Sequence, residues 1–453
     1  MEERGKPLPI ETLPRDELEK IQNKRLRYTL RKAYETTLFW HEKFNSLGIK
    51  PEDIKNKEDL QKAYRKGLRI DDNDLIFSSY SIFPNYLETI GYTILTTSGT
   101  SKNLPKSIPY TPYDFQRSND QAFLLFNMLG ISKGERNLNA FGPPPNASGI
   151  LLWAGLNAIG ASQYPLMIDV PSEVKVGIIK FYKPKHIWMI GSKALELGNY
   201  IQKIGKNLTN FGVEKIEISG EPFSESLKKK TAELCGIEVI DMYASAELSI
   251  TAFECPYHEG MHIAENRILL TTVDPETKEE KEEGQVVATT LYREGEYPGI
   301  YLINKEMGDQ VKLIKDECAC GRNTLRITPP QRIDDVFSIE TKKFNPRAIE
   351  NLLYDDNFTG RYVVVKYVDK DTREIKKLQI RTEVKELLPN SCELAPKIIE
   401  AFTQNNPNTY EVLKKLEKEG KIEVIYKPEK MLYEGVESYL RKGKSTVFVE
   451  VVA

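Results

Sequence analysis

Apolar and polar positions in the first hundred residues follow first a helical and then a strand period. In the segment 18–48 apolar residues recur every three or four positions up to Gly48, which predicts one or two amphipathic helices. The segment 49–67 predicts a short loop followed by a capped helix. The β-branched run "YTILTTSGT" (92–100) contains a glycine near its end and predicts a strand that breaks into a turn.

The pattern from about residue 115 to residue 245 alternates between strands and helices. Short apolar runs typical of strands are "SQYPLMIDV", "HIWMIG", "VEKIEISG" and "IEVIDMYA". Amphipathic segments long enough for helices precede and separate these runs, for example "SEVKVGIIKFYK" and "SKALELGNYIQKIG". Because strands that alternate with helices pair in parallel, we expect a mostly parallel α/β sheet.

After residue 260 the pattern becomes rich in β-strands, as in "GQVVATTLYRE" and "IYLINKEMGDQVKLI". The polar segment "PPQRIDDVF" then interrupts it and predicts a hinge between domains near Asp334. Beyond it lie a hairpin pattern, two helical patterns and two strand patterns. The predicted fold class is α/β, with a large domain over residues 1–331 and a small α+β domain over residues 332–453.

The bulk composition excludes several classes of protein. The chain has 453 residues, too many for one ordinary core, and its 64 basic and 66 acidic side chains nearly balance. This balance gives no reason to expect a nucleic-acid or membrane partner, and no apolar run approaches the roughly 20 residues that cross a bilayer. The polar, acidic start is no signal peptide. We therefore expect a cytoplasmic protein in which the five cysteines are reduced.

The stretch "TTSGTSKNLPK" (96–106) has two interpretations. Its hydroxyls, its glycine and its lysines are the groups that a phosphate-binding loop needs, although the spacing is not that of a Walker A loop. The same residue types also favour a solvated hairpin turn. From this stretch alone, both interpretations remain open.

Two further segments, "ISGEPFSE" (218–225) and "VIDMYASAE" (239–247), each run from the end of a strand into a loop. Ligands bind beyond the carboxyl ends of the strands in open α/β sheets. Tyr243 offers a flat face for a base, and Glu247 is an oxygen ligand of the kind Mg²⁺ prefers. The alternative is that Asp241 and Glu247 only cap a helix start.

Taken together, these motifs resemble the phenylacetate–coenzyme A ligase branch of the adenylate-forming (acyl-activating, AMP-binding) superfamily. The stretch 96–106 is similar to the family's phosphate loop, "SGEPFSE" to its adenine-side loop, and "DMYASAE" to its D-x-Y-G-x-S-E motif. The segments "MHIAENRILLTTVD", "INKEMGD" and "CACGR…RIDDVF" follow in the family's order. The resemblance covers about residues 27–350 and implies a large AMP-binding domain with a mobile C-terminal lid.

The resemblance implies an ATP-binding role for several residues. The β- and γ-phosphates would be held by Lys106 and by the loop residues Thr97, Ser98, Gly99, Thr100 and Ser101. Adenine would lie among Gly220, Glu221, Pro222 and Tyr243. Asp309 would bind the ribose hydroxyls, a suitable role for a carboxylate acceptor.

The family resemblance implies catalytic roles for three more residues. Glu247 would hold Mg²⁺, and Arg332 would assist at the ribose or the phosphates. Lys444, in "RKGKSTVFV", would be the mobile lysine that neutralises charge during adenylation. A plain lysine on a surface turn is the alternative for Lys444.

Three cysteines and one histidine also form a candidate metal site. Cys255, Cys318 and Cys320 with one histidine would give the closed Cys₃His set that structural Zn²⁺ prefers, and the resemblance implies such a zinc. His262 occupies the position of the family's G-L-H-I histidine, and His258 is the rival ligand. The alternative is that these are reduced cysteines with no metal.

The chain departs from the family pattern in ways that affect function. The phosphate loop is one residue longer, Ala246 replaces a hydroxyl, and "SIETKKFNP" lacks the glycine turn that packs beside coenzyme A. Adenylation is therefore better supported than thioester formation, and the acceptor is left as coenzyme A, another thiol or none. The sequence also leaves a homodimer open.

The resulting hypothesis is an AMP-forming acid–thiol ligase that activates a carboxylic acid with ATP and passes the acyl group to coenzyme A. One alternative is an adenylyltransferase that makes a stable product, such as a deazaflavin coenzyme adduct. The other is a non-catalytic nucleotide- or acyl-binding protein on a ligase scaffold.

Overall fold

The computed structural model describes residues 5–97, 106–144, 146–333, 337–339, 342–344, 346–354, 357–372, 374–386, 391–404, 410–428, 431–437 and 448–452. Its α-helices are α1 (Arg15–Thr36), α2 (Leu38–Ser46), α3 (Lys57–Arg65), α4 (Asp72–Phe77), α5 (Pro112–Leu129), α6 (Ala147–Ala158), α7 (Ser172–Tyr182), α8 (Gly191–Lys203), α9 (Glu225–Cys235), α10 (Ser391–Gln404) and α11 (Tyr410–Lys418).

Its strands are β1 (Thr93–Thr96), β2 (Ser107–Tyr110), β3 (Arg136–Asn139), β4 (Ser162–Pro165), β5 (His186–Met189), β6 (Lys215–Ile218), β7 (Glu238–Ser245), β8 (Ser249–Glu254), β9 (Met261–Ile263), β10 (Ile268–Val273), β11 (Glu283–Thr290), β12 (Lys305–Ile314), β13 (Arg326–Ile327), β14 (Gln331–Arg332), β15 (Phe337–Ile339), β16 (Lys342–Phe344), β17 (Phe358–Val368), β18 (Ile375–Val384), β19 (Ile422–Pro428) and β20 (Phe448–Val452).

One large sheet runs through most of the chain. Its strand order is β10-β11-β12-β13-β9-β8-β7-β6-β5-β3-β4, and β14 pairs with β12. The pairs from β4 through β3, β5 and β6 to β7 are parallel. The pairs from β7 outwards to β10 are antiparallel. The sheet therefore changes from parallel to antiparallel at β7, the strand that leads to Glu247.

The parallel half of the sheet is covered by helices on both faces. In β5, Ile187 and Met189 belong to an apolar cluster with side chains of α7, α8 and α9. Their neighbours Trp188 and Ile190 belong to a second cluster, with side chains of α5 and α6. Burial on both faces explains why these strands are short, almost continuous apolar runs.

The N-terminal helices cover the antiparallel half. Trp40 and Phe44 of α2 are fully buried in a cluster that includes strand residues such as Leu270 and Val286. The indole Nε1 of Trp40 also donates to the carbonyl of Tyr301 at 3.0 Å. This hydrogen bond satisfies the polar end of a buried ring and fixes where the helix lies on the sheet.

A second, four-stranded sheet forms the small α+β domain, in the order β19-β18-β17-β20. Strands β17 and β18 form the antiparallel hairpin, and β19 and β20 add to it in parallel. Ile398 and Phe402 of α10 and Leu413 of α11 pack with Leu378 and Ile380 of β18. The domain thus has a core of its own.

The small domain docks on α8 and α9 of the large one. The buried Lys230 Nζ of α9 donates to the carbonyls of Leu353 and Phe358, at 2.9 and 2.8 Å. Asn199 of α8 donates to the carbonyl of Thr359 at 3.1 Å. In these three hydrogen bonds between the domains, side chains of the large domain donate to main-chain carbonyls of the small domain.

The predicted fold class is confirmed, and two predicted strands are shorter than expected. The strand expected in 300–314 begins only at Lys305, because Asn304 takes a left-handed backbone conformation with φ 48°. The strand expected in 162–170 ends at Pro165; the Leu166 N–H still donates to the Asn139 carbonyl at 2.7 Å, and the chain then turns at residues 168–169. The domain boundary after residue 331 stays a prediction, and Asp334 lies outside the described residues.

Among the described residues, α1 is the longest helix, and it is too polar to span a bilayer. The same holds for the shorter helices of the described ranges, in which no candidate membrane span occurs.

The turn around Gly299 sets the position of β2, the strand that follows the candidate phosphate loop. The Gly299 N–H donates to Asp114 Oδ2 at 2.7 Å, and the Tyr292 hydroxyl donates to Asp114 Oδ1 at 2.9 Å. A Cβ atom at residue 299 would lie 2.2 Å from the carbonyl oxygen of Pro109 in β2. Only glycine allows this approach.

We therefore expect Gly299→Ala to lower the free energy of unfolding by about 1–3 kcal/mol, because the new methyl group overlaps main-chain atoms that cannot move independently. Urea unfolding curves measure the effect. Gly91→Ala is the matched control, since an added Cβ there meets nothing within 4 Å, and it should change stability by less than about 0.5 kcal/mol. Equal stability of the two variants would contradict the packing described for this turn.

Candidate active site

The candidate site lies where β6 and β7 end. The two strands pair in parallel with Ile218 beside Asp241; Gly220 follows the end of β6 by two residues, and Tyr243 lies two residues further along β7. Gly220 has φ 92°, a conformation that side chains other than glycine rarely adopt, and the chain turns there towards Glu221 and Pro222. Two segments separated in sequence thus present their loops at one edge of the sheet.

Buried hydrogen bonds hold the loop between β7 and β8. Arg117 Nη1 and Gln121 Nε2 of α5 both donate to the carbonyl of Leu248, at 2.9 and 3.0 Å. The Tyr110 hydroxyl donates to the carbonyl of Ala246 at 2.7 Å. The carbonyls on both sides of Glu247 are therefore fixed, and the position of its carboxylate follows from them.

Glu247 is buried beside Lys106. The Lys106 ammonium forms a salt bridge with the Glu247 carboxylate, and the Glu247 side chain is 2% exposed whereas that of Lys106 is 11% exposed. Burial alone raises the pKa of Glu247, but Lys106 and Lys305 outweigh it and lower this pKa to about 2. Burial likewise lowers the pKa of Lys106, and Glu247 and Asp72 raise it overall. Both groups are charged at neutral pH.

Two members of this charged cluster were missed by sequence reasoning. Asp72 Oδ1 accepts from Lys106 Nζ at 3.0 Å and from the fully buried Lys305 Nζ at 2.7 Å. Asp72 is the first residue of α4 and Lys305 is the first residue of β12. The two residues lie more than 230 positions apart in the sequence. The only local signal was the acidic run "DDND", which marks a capped helix start and not a charge partner.

The candidate phosphate loop starts and ends in an antiparallel hairpin. Thr96 of β1 pairs with Ser107 of β2, the Thr97 N–H donates to the Lys106 carbonyl, and the Lys106 N–H donates to Thr97 Oγ1. A hairpin is thus present, and it places Lys106 in the charged cluster. The remaining predicted members, Ser98, Gly99, Thr100 and Ser101, lie outside the described residues.

A second polar cluster adjoins the first. The Tyr243 hydroxyl donates to Asp309 Oδ2 at 2.7 Å, and Asp309 Oδ1 lies 3.4 Å from Arg332 Nη1. Strand pairing of β12 with β14 sets Asp309 opposite Arg332. Burial, together with Asp309, raises the pKa of Tyr243 well above its usual range, so its hydroxyl is a permanent donor. Three residues predicted from separate motifs therefore meet.

Glu221 connects the adenine-side loop to a helix. Its Oε1 accepts from the Ser192 N–H at 2.7 Å, in the first turn of α8. A carboxylate at this end of a helix is stabilised by the free N–H groups and the helix dipole. Pro222 and Gly220 flank it, so the loop 220–222 is anchored at its centre.

The four predicted metal ligands also meet. The ligand atoms of Cys255, His262, Cys318 and Cys320 all lie within 4.8 Å of one another. The Sγ atoms of Cys255 and Cys318 are 3.7 Å apart, and Cys320 Sγ is 3.2 Å from His262 Nε2. A tetrahedral Zn²⁺ with ordinary bond lengths needs separations of about 3.8 Å between sulfurs and about 3.6 Å between sulfur and nitrogen. The donor set and its spacing fit zinc.

His258, the rival ligand, lies elsewhere. Its Nε2 is 3.2 Å from Glu238 and its Nδ1 is 3.4 Å from Glu254, and these carboxylates raise its pKa to about 9. A protonated imidazole does not bind a metal ion. His262 instead turns Nδ1 to the Thr324 hydroxyl at 2.9 Å, which leaves Nε2 for the sulfur cluster.

Two further predicted residues lie in other parts of the chain. Lys444, expected to be the mobile lysine, lies outside the described residues, as does the hinge residue Asp334.

Comparison with curated proteins finds relatives of one kind. The chain is 27% identical to a phenylacetate–coenzyme A ligase of Thermus thermophilus over 352 aligned residues. The alignment covers 76% of this chain and 77% of that protein. A phenylacetate–coenzyme A ligase of Escherichia coli is 25% identical over 352 residues, with the same coverage. No family model matches the chain.

Comparison with solved structures supports the fold. A 2-hydroxyisobutyryl–CoA ligase in its postadenylation state, with an acyl-AMP bound, matches 98% of this chain and 91% of its own with a TM-score of 0.79 at 21% identity. The same enzyme in its thioesterification state gives a TM-score of 0.64.

These relatives are coenzyme A ligases, so they lend no support to a deazaflavin adenylyltransferase or to a non-catalytic binding protein. In sequence the chain is similar to phenylacetate–coenzyme A ligases, as its ordered motifs predict, and in fold it is similar to a 2-hydroxyisobutyryl–CoA ligase.

Proposed function

We propose that the chain is an AMP-forming acid–coenzyme A ligase, which activates a carboxylic acid as an acyl-adenylate and then transfers the acyl group to coenzyme A. The observation that carries this proposal is the meeting of residues from distant motifs beyond β6 and β7. Lys106 and Glu247 meet in one cluster, and Tyr243, Asp309 and Arg332 meet in the adjoining one.

The charged cluster has the composition that a magnesium-bound triphosphate requires. Lys106 is a mostly buried cation at the end of the candidate phosphate loop, and Glu247 is a buried anion of the type that binds Mg²⁺. In the structure each neutralises the other. When the nucleotide binds, Lys106 would turn to the phosphates and Glu247 to the metal ion, so neither charge is buried without a partner.

The second cluster suits the nucleoside. Tyr243 holds Asp309 by a short hydrogen bond, which orients the carboxylate before any ligand arrives. A carboxylate so held can accept both ribose hydroxyls, and Arg332 beside it adds positive charge towards the phosphates. Attack of the acid carboxylate on the α-phosphorus would then form the acyl-adenylate and release pyrophosphate, with Lys444 proposed as the cation at the reacting phosphate.

For the acid substrate and for the acceptor of the acyl group, we propose a chemical class. The curated relatives act on phenylacetate, so an aryl or small acyl acid is the first class to test. Coenzyme A is the proposed acceptor although "SIETKKFNP" lacks the family's glycine turn. We place the protein in the cytoplasm, where its thiols would stay reduced, and a homodimer remains compatible with this function.

We further propose that Cys255, His262, Cys318 and Cys320 hold a structural zinc ion. The site adjoins the N-terminal segment: Arg322 pairs with Glu11 at 2.8 Å, two residues after Cys320. Zinc would thereby join the end of β8, strand β9 and the start of the chain. Four protein ligands leave no open position for a substrate, so its role would be structural.

Replacing Glu247 tests the adenylation step. Wild type should catalyse pyrophosphate–ATP exchange with at least one acid of a panel of aryl and short acyl acids, and Glu247→Gln should lower the rate at least a hundredfold because Mg²⁺ loses its carboxylate. Glu282→Gln, an exposed change of the same kind, should keep the wild-type rate. Absence of exchange by wild type with every acid, alongside measurable ATP binding, would favour a non-catalytic protein.

The low pKa of Glu247 predicts that the stability difference between wild type and Glu247→Gln depends on pH. The pKa of Glu247 falls from about 4.5 in the unfolded chain to about 2 in the folded one, so its ionisation stabilises the fold fully above pH 4.5 and progressively less as the pH falls towards 2. Between pH 7 and about pH 3.5 the stability advantage of wild type over Glu247→Gln should shrink by on the order of 1 kcal/mol. Urea unfolding at several pH values measures it, and a constant difference would contradict the assigned pKa.

Metal analysis tests the zinc proposal. Protein purified without added metal should contain about one zinc per chain, whereas Cys320→Ser should lose it and unfold at a lower temperature. Cys235→Ala is the control, since Cys235 is buried in a different cluster, and it should keep its zinc. A content far below one zinc per wild-type chain would reject the site.

A further inference from the structure

A basic groove opens outside the candidate active site. It lies between α1, the segment 51–55 and the turn at Arg293 and Glu294, and its volume is about 940 Å³. None of its lining residues belongs to the charged cluster, to the second polar cluster of Tyr243, Asp309 and Arg332, or to the candidate metal site. Its basic lining residues are Lys24, Arg25, Arg27, Arg31, Lys55 and Arg293.

The charge of the groove contrasts with that of the chain. Six basic side chains face two acidic ones, Glu52 and Glu294, although the whole chain has a net charge of −2. Lys24, Arg27 and Arg31 lie three and four positions apart on α1 and so share one face of the helix. The concentration of positive charge on one concave surface is a local property that the overall balance conceals.

Four of the six cations form no ion pair within the part of the chain that the structure describes. Within the described ranges, Arg31 contacts Glu35 at 3.9 Å and Arg293 contacts Asp120 at 2.6 Å. No ion pair of the described residues involves the other four groove cations. These four are Lys24, Arg25, Arg27 and Lys55.

The walls of the groove are held in place. The Arg25 guanidinium donates to the carbonyl of Asn266, and Arg27 Nη1 donates to the carbonyl of Lys55 at 3.2 Å. The Tyr28 hydroxyl donates to the carbonyl of Glu296 at 3.0 Å and accepts from the Gly295 N–H at 3.1 Å. These hydrogen bonds hold neighbouring cations close together, so the cations repel one another. A multivalent anion bound among them would relieve this repulsion.

We infer that this groove binds a small molecule that carries clustered phosphate groups. Arginine and lysine together supply both planar forks and point charges, which suit phosphate oxygens. The groove is concave and its volume falls in the range of small-ligand sites, whereas a membrane or a nucleic acid needs an extended basic face. The inference does not rest on the proposed ligase reaction.

Calorimetric titration with inorganic tripolyphosphate tests the inference on the full chain. Wild type should bind one more equivalent of tripolyphosphate than the double variant Lys24→Glu/Lys55→Glu, and raising the ionic strength should weaken this additional binding. Both lysines are exposed, so the variant should fold normally and keep its pyrophosphate exchange rate. The matched control Lys66→Glu/Lys203→Glu changes the charge equally at exposed lysines outside the groove and should bind as wild type does.

Equal stoichiometry and affinity in wild type and in the groove variant would overturn the inference, as would absence of any tripolyphosphate binding by wild type. Two natural sources of clustered phosphates are then separated by comparing coenzyme A, dephospho-coenzyme A and ATP. A preference of at least tenfold for coenzyme A over its dephospho form, lost in Lys24→Glu/Lys55→Glu, identifies the 3′-phosphate nucleotide of coenzyme A. Equal competition by ATP identifies a free nucleoside polyphosphate.

Discussion

The buried salt bridge between Lys106 and Glu247 constrains the rest of the large domain. A charge without a partner in the protein interior costs several kcal/mol, so the chain must bring the two side chains together wherever its other elements lie. Asp72 and Lys305 join the same cluster, which ties α4, β2, β12 and the loop after β7 to one point. These charged side chains lie where the family resemblance places the phosphates, so the groups that join these elements are also the groups proposed to bind the nucleotide.

The sequence predicts the alternation of strands and helices, the fold class and most of the candidate site, because these follow from local periodicity and from ordered motifs. It does not predict Asp72 or Lys305, since their pairing depends on strand order in three dimensions and leaves no local pattern. The ambiguity between His258 and His262 has the same cause. Both lie within seven residues of Cys255, and only the pairing of β8 with β9 turns His262 towards the sulfurs while Glu238 and Glu254 engage His258.

The two interpretations of the stretch 96–106 turn out to be compatible. Its ends form a regular hairpin between β1 and β2, as turn-favouring residues predict, and the same hairpin delivers Lys106 to Glu247. The Pro109 carbonyl, the turn at Gly299 and Asp114 then hold β2 against the antiparallel half of the sheet. A turn and a phosphate site were alternatives only while the stretch was considered in isolation, because a phosphate loop also needs a rigid base.

The contact between the two domains has a consequence for how such chains diversify. Lys230 and Asn199 donate to main-chain carbonyls of residues 353, 358 and 359, and these acceptors persist whatever side chains the small domain carries. These hydrogen bonds thus depend on the path of the backbone, whereas the contacts of Arg361 with Glu196 and of Lys385 with Gln202 depend on side-chain identity. A chimera that carries the C-terminal domain of a homologue would keep the main-chain acceptors, so positions 361 and 385 are the ones to match across the contact.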